Sequence, residues 1–220
     1  MEKGFSIYAD FPTPPDDGRD IFLKGYLISY KYFDPIAKDE VAAAFQLDLD
    51  KEKEQAINDF LSPLKERGVT VGIHVRRGDM NEVCNRDGTC SVAGVKFFER
   101  ALLKMRSEHK KLGREITFMV ASDKILWCKD QPYFNSEDIF FTHSGPDYIT
   151  DFAILKSCNH MIMTIGTFGW WVAWLGLHLN NVTVIYQADA FDITNNFMRN
   201  NMVLDDVYPS SWTPISNGEE

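Results

Sequence analysis

Val69-Thr70-Val71-Gly72-Ile73-His74-Val75 is a run of strand-forming residues that passes directly into Arg76-Arg77-Gly78-Asp79. Valine, isoleucine and threonine fit the pleated surface of a strand. The near-absence of polar alternation points to a strand covered on both faces. Two adjacent guanidinium groups at the mouth of such a strand are costly to leave unpaired. A phosphate ligand is a natural partner, because arginine presents a rigid fork of donors matched to phosphate oxygens.

Working outward, the pattern alternates. Lys51 to Leu64 carries Ala56, Ile57, Phe60, Leu61 and Leu64 at helical spacing, and Gly68 is a fitting stop. Downstream, the spacing predicts helix over 95–112, strand over 116–121, a short helix with Ile125, Leu126 and Trp127, strand over 139–142 and helix over 148–157. Strand over 161–165, helix over 168–177 and strand over 182–186 follow. Short strands with helices between them imply an α/β fold: a parallel sheet with helices on both faces. Residues 1–35 read as irregular. The tail beyond Gln187 reads as polar chain wrapped over the surface. The division expected is 1–67, an N-terminal region, and 68–220, the domain that carries the sheet.

The formal net charge of -9 argues against nonspecific binding to nucleic acid or an anionic membrane. The first residues show no apolar segment of a signal peptide. Met161 to Leu179 contains no Asp, Glu, Lys or Arg, yet Gly166, Gly169 and Gly176 and the nearby polar residues favour a buried strand-turn-helix over a membrane span. Four cysteines lack the close CxxC pairs of structural zinc. Cys84 and Cys90 bracket a polar loop, so a short disulfide and two free thiols are both open readings. Asn181-Val182-Thr183 is a glycosylation sequon, meaningful only in a secretory protein.

In parallel sheets, ligands sit outside the carboxyl ends of the strands. Three polar clusters fall there: His74, Arg76, Arg77 and Asp79; Ser122 and Asp123; and Gly166, Thr167, Phe168 and Gly169. Backbone N–H groups at the start of the Phe168 helix can hold a phosphate oxygen. The arginines would stabilise a diphosphate as its bond to sugar breaks. Asp123 either accepts from a ribose or base edge or caps the helix through Trp127, and Asp79 could orient an arginine. Trp170, Trp171 and Trp174 read as core packing. Asp151 reads as an exposed first-turn carboxylate favoured by the helix dipole. No GxxxxGK[ST] is present, and no Asp-x-Asp follows a strand, which disfavours a P-loop site and a metal-dependent sugar transfer.

HVRRGD at 74–79, FMVASDKILWCK at 118–129, DFAILKSCNHMI at 151–162 and GTFGWWVAWLG at 166–176 resemble the α-1,2-fucosyltransferases, glycosyltransferase family 11. GYLISYKYF at 25–33 looks like the family's upstream aromatic segment. The resemblance implies a GT-B-like donor domain, GDP-fucose as donor with no cofactor and no metal, and transfer with inversion to a galactose hydroxyl of a galactose-terminated glycan. It makes 1–67 a shortened, acceptor-side part and 68–220 the donor-binding domain. It implies a Golgi membrane or lumenal setting, although this chain shows no anchor. By the same match, Arg76 grips the diphosphate beside His74 and Arg77, Asp123 faces the guanosine end, and Gly166–Gly169 close over the phosphate. His74 and Asp79 are both candidates for a catalytic base. The shortened N-terminal part leaves a second reading, an inactive module that holds nucleotide-sugar or glycan.

Overall fold

The computed structural model describes residues 6–10, 16–18, 20, 22, 28–36, 38–142, 147–176 and 182–218. Asn181 of the sequon, Tyr26 and Leu177 lie outside them. Helices α1 (Lys38–Ala44) and α2 (Lys51–Arg67) precede strand β1 (Val69–Val75), followed by α3 (Met80–Asp87) and α4 (Val95–Lys111). Then come β2 (Ile116–Ser122), α5 (Ile125–Lys129), β3 (Ile139–Phe141), α6 (Tyr148–Lys156), β4 (His160–Met163) and α7 (Thr167–Gly176). Strand β5 (Val184–Gln187), helices α8 (Asn196–Asn201) and α9 (Leu204–Val207) and strand β6 (Thr213–Ile215) complete the chain.

The six strands form one parallel sheet in the order β3-β2-β1-β4-β5-β6. The expected α/β class is what the structure shows. Alternation along β1 sorts its side chains to two covered faces. Val71, Ile73 and Val75 pack with Phe118 and Val120 under Phe97, Phe98, Ala101, Leu102 and Met105 of α4. On the other face, Met161, Met163 and Val184 lie under Trp170, Val172, Ala173 and Trp174 of α7. Ile57, Leu61 and Leu64 of α2 complete that face against Met119 and Ile154. Helix α2 is therefore a layer of the same unit as the sheet.

The uncharged stretch from Met161 is a buried strand-turn-helix, and among the described residues no helix is long and apolar enough to cross a membrane. The three tryptophans of α7 are packing residues. Trp170 donates from Nε1 to the Val207 carbonyl at 2.8 Å, and Phe33 and Phe45 lie against Trp171 at 4.7 and 4.3 Å.

Two expectations need correction. The tail beyond Gln187 is not a surface wrap: it adds β6 to the sheet edge and buries Met198, Met202, Val207, Tyr208 and Trp212 against α7. Its apolar residues are spaced too irregularly to reveal that face by period. Asp151 is 6% exposed rather than a solvated first-turn carboxylate, and accepts a hydrogen bond from Thr142 Oγ1 at 2.5 Å. Helix α6 meets the sheet along this turn, which directs the Asp151 side chain inward rather than to solvent.

Because Trp212 stands among Trp170, Tyr186 and Tyr208 with ring separations of 6.2, 6.5 and 6.2 Å, Trp212→Ala is expected to cost about 3–5 kcal/mol in urea denaturation. A loss below about 1 kcal/mol, the range of surface substitutions, would restore the surface-tail reading.

Candidate functional site

The sheet order places β1 and β4 side by side although the chain visits β2 and β3 between them. Connections leave these two strands toward opposite edges, and the crevice at their carboxyl ends is a topological switch point, where parallel sheets bind ligands. Two of the three polar clusters flank this crevice. The loop after β1 supplies Arg76 to Asp79, and the loop after β4 supplies Gly166 and the first turn of α7.

Thr164 stitches the two exits together. Its hydroxyl accepts from the Arg76 backbone N–H at 2.9 Å, and its own N–H donates to the His74 carbonyl at 3.2 Å. Nothing in the local sequence marks this threonine, because its role depends on which strand neighbours β4. Gly166 adopts φ +115°, a left-handed conformation that glycine takes without strain. The Arg76 stem passes beside it: a Cβ there would lie 3.7 Å from Arg76 Cγ. Arg76 therefore stands at the mouth of α7, whose first N–H groups lack partners within the helix, as at any helix start.

Arg76 is 32% exposed and ion-paired through Nη2 to Asp79 and through Nη1 to Asp123. The two carboxylates differ in setting. Asp123 is only 18% exposed, and its Oδ1 also accepts from the Arg77 backbone N–H at 3.0 Å. Asp79 is 67% exposed. One partner is a fixed backing; the other is an exposed contact of the kind worth little in water. Asp79 opens α3 without capping it through its side chain. The alternative role for Asp123, a cap on α5, is not taken: no side chain caps that helix. Its carboxylate is engaged at one oxygen by the Arg76 guanidinium and at the other by the Arg77 N–H.

Arg77 points to the other face of the sheet, as alternation from β1 dictates. Its guanidinium lies 3.8 Å over the Trp127 ring, and Nη1 donates to the Ala93 carbonyl at 3.1 Å. Ser122 is similarly engaged, donating from Oγ to the Val75 carbonyl at 2.7 Å and accepting from the Lys124 N–H at 3.0 Å. Both tie the β1 and β2 exits to the helices beneath them. The crevice thus gathers His74, Arg76, Asp79, Asp123, Gly166, Thr167, Phe168 and Gly169, with Arg77 and Ser122 as its foundation.

His74 is buried, its ring 5.1 Å from that of Phe168. Gly169 permits this approach: a Cβ there would stand 2.5 Å from His74 Nδ1. Nδ1 has no hydrogen-bond partner among the described residues. Burial first, and Arg76 second, push the His74 pKa down to about 3. A neutral imidazole this reluctant to bind a proton is poorly matched to general-base work at neutral pH. Among the described residues, no group of three or more His, Cys, Asp and Glu is placed to hold a metal ion.

The loop after β1 continues into α3, which the sequence pattern does not reveal because its eight residues offer only Met80, Val83 and Cys84 as an apolar stripe. A disulfide joins Cys84 of α3 to Cys90, deciding between the two open readings, while Cys128 and Cys158 are buried free thiols.

The profile of the family described as Glycosyl transferase family 11 matches residues 21–215. The chain belongs to glycosyl transferase family 11. Galactoside alpha-(1,2)-fucosyltransferase 2 of Sus scrofa is 33% identical over 177 residues, covering 76% of this chain and 50% of the relative. Galactoside alpha-(1,2)-fucosyltransferase 1 of Homo sapiens is 33% identical over 180 residues, covering 76% and 48%. This family 11 chain thus spans about half the length of the curated relatives it matches. A crystal structure of POFUT1 in its apo form overlaps 62% of this chain and 46% of its own, with a TM-score of 0.39 and 15% identity, a likeness too slight to add to the assignment.

The neutral state of His74 fixes the sign of a pH effect. In the unfolded chain histidine binds a proton near 6.5, whereas the folded site resists protonation until about pH 3. Its contribution is full above pH 6.5 and is lost as pH falls toward 3, at up to about 1.4 kcal/mol per pH unit. His74→Phe, which keeps a ring against Phe168, is expected to lose stability less steeply than the parent between pH 6.5 and 4. Equal slopes in urea titrations would contradict the buried neutral state.

Proposed function

We propose that the chain is the donor-binding part of an α-1,2-fucosyltransferase, holding GDP-fucose at the switch point and passing fucose to a galactose hydroxyl. The observation that carries this reading is Arg76, standing between the first turn of α7 and an exposed, exchangeable carboxylate. Family membership and the names of the relatives supply the sugar and the acceptor.

The diphosphate takes the place of Asp79 on Arg76. Asp123 stays behind the guanidinium and keeps its fork aimed at the crevice. Thr167 and the opening N–H groups of α7 bind the remaining phosphate oxygens, helped by the positive end of the helix dipole. The acceptor hydroxyl oxygen attacks C1 of fucose from the face opposite the phosphate, and the C1–O bond breaks with its electron pair going to GDP. Inversion follows from that single displacement. The charge growing on the leaving diphosphate meets Arg76 and α7, so the protein's own donors do the work that a metal does elsewhere. His74 and Phe168 set the floor of the crevice. The hydroxyl proton passes to a general base, for which Asp79, exposed and freed from Arg76, is the carboxylate at hand.

The Cys84–Cys90 disulfide supports an oxidising compartment, consistent with the secretory lumen that the resemblance implies. A second reading, a module that binds the donor without turnover, is favoured by His74, whose buried neutral ring is a poor general base. GDP release on adding a galactoside separates the two: release marks a transferase, and retained binding without release marks the module.

Arg76→Ala is expected to weaken GDP binding by about 2–4 kcal/mol in calorimetry, the penalty for losing one partner of a desolvated charge pair. An unchanged isotherm would refute the site. Adding a metal chelator is expected to leave the parent's GDP affinity in place, and a large drop would overturn metal-independent donor binding.

A further inference from the structure

The end of the sheet opposite Arg76 carries a second opening. A cavity of about 620 Å³ lies at the amino end of β2, beside the last residues of α2 and α4, and its lining includes Arg67, Arg106, Lys110 and Arg114. We infer that it is an oxyanion site, a seat for a small molecule bearing a phosphate or sulfate ester. The inference goes beyond the donor reading and does not rest on it. Strands β1 and β2 each run seven residues from this end to the other, about 20 Å at the strand rise.

The cations here are concentrated and mostly uncommitted. The formal net charge of the chain is -9, yet four of its 23 lysines and arginines border this one cavity. Arg106 is taken: Nε and Nη2 donate to the two oxygens of Asp138 at 2.7 and 2.8 Å. None of Arg67, Lys110 and Arg114 pairs with a carboxylate among the described residues. The other lining carboxylates are Glu115 and Glu137, both exposed. Three cations against two carboxylates leave a positive balance on a strongly acidic protein, the condition that draws an anion.

Helix ends attract cations of their own accord, because free carbonyls form their negative pole. At α4 that pole is largely answered by the backbone. The N–H groups of Leu112 and Arg114 each donate to the His109 carbonyl at 3.0 Å, and the Gly113 N–H donates to the Lys110 carbonyl at 3.1 Å. The same bonds fix the turn that carries Arg114, so the rim is held before any ligand arrives.

Thr117 decides the reading. It lines the cavity at 3% exposed, and its Oγ1 has no hydrogen-bond partner among the described residues. An unpaired buried hydroxyl is costly, and a valine of the same shape would avoid the cost. Alternation along β2 turns Thr117 away from Phe118, which packs under α4, and toward the α2 face. On that face the Arg67 guanidinium lies 5.6 Å over the Phe140 ring. Phe140 is paired with Met119, which makes it a diagonal neighbour of Thr117. A guanidinium fork, a hydroxyl donor and two further cations at the rim complement a tetrahedral oxyanion.

The test follows the NMR signals of Thr117 and Gly113 in the full chain as inorganic phosphate and inorganic sulfate are titrated in separate arms, which distinguishes the two sources of the anion. Wild type is expected to shift at both residues with at least one anion. Lys110→Glu and Arg114→Glu, at exposed positions, are each expected to weaken binding about tenfold or more, the scale of a lost charged contact. Lys51→Glu, at the far end of α2, makes the same change of charge and is expected to stay within about twofold. Thr117→Val is expected to weaken binding about fivefold with a melting temperature equal to or above that of wild type, because it removes an unpaired hydroxyl. A threonine kept only for structure would lose stability and leave binding alone. Silence at Thr117 and Gly113 with both anions, shifts confined to the Arg76 loop, or binding equal in wild type and the lining variants overturns the site. An equal loss in Lys51→Glu overturns it as well. If these shifts appear as described and GDP does not bind, the donor reading falls and the oxyanion site stands.

Discussion

Both faces of the parallel sheet are covered, so a charged residue of a strand can meet solvent only where the strand ends. That constraint organises the rest of the molecule. Strand β1 is the centre of the buried sheet, and the residues that follow it must turn from apolar to charged within one step. Arg76 and Arg77 make that turn, and alternation sends them to opposite faces. Arg77 finds Trp127 and the Ala93 carbonyl and becomes part of the foundation. Arg76 emerges at the switch point, where two carboxylates of unequal exposure pair with it. Thr164, by bonding to both His74 and Arg76, keeps the two sides of the crevice in register.

The crevice combines a fixed charge, an exchangeable counter-charge and a helix start. A guanidinium held only by exposed carboxylates would wander; one held only by buried carboxylates would be unable to receive a phosphate. Asp123 and Asp79 divide these duties. His74 contributes shape rather than charge, since burial keeps it neutral beside the arginine. Gly169 is what lets that ring lie against α7.

Much of this was legible in the sequence, for definable reasons. The strands β1, β2 and β4 are short apolar runs with polar residues at their exits, and the parallel architecture follows from helices of clear period between them. The convergence of three motifs on strand exits follows from that architecture alone. What was not legible depends on partners distant in the chain. Helix α3 has a stripe of only two turns, Met80, Val83 and Cys84, and is fixed by the disulfide and by packing of Met80 and Cys84 near Ile165 and Ala190. Strand β6 is ordered by pairing with β5, and the aromatic residues of the tail by packing near Trp170 and Trp174, which no local pattern announces. Asp151 and Asp123 are carboxylates in positions that look solvated by period. Their surroundings come from Thr142 and Arg76, contacts made across 9 residues in the one case and from another strand's exit in the other.

The central claim is that the β1–β4 crevice exists to receive a diphosphate on Arg76. A crystal structure of the chain with GDP bound tests it most directly. The account predicts the diphosphate between the Arg76 guanidinium and the first turn of α7, with Asp79 released and Asp123 still in place. Nucleotide bound elsewhere on the sheet, or present while Arg76 keeps both carboxylates, would contradict it.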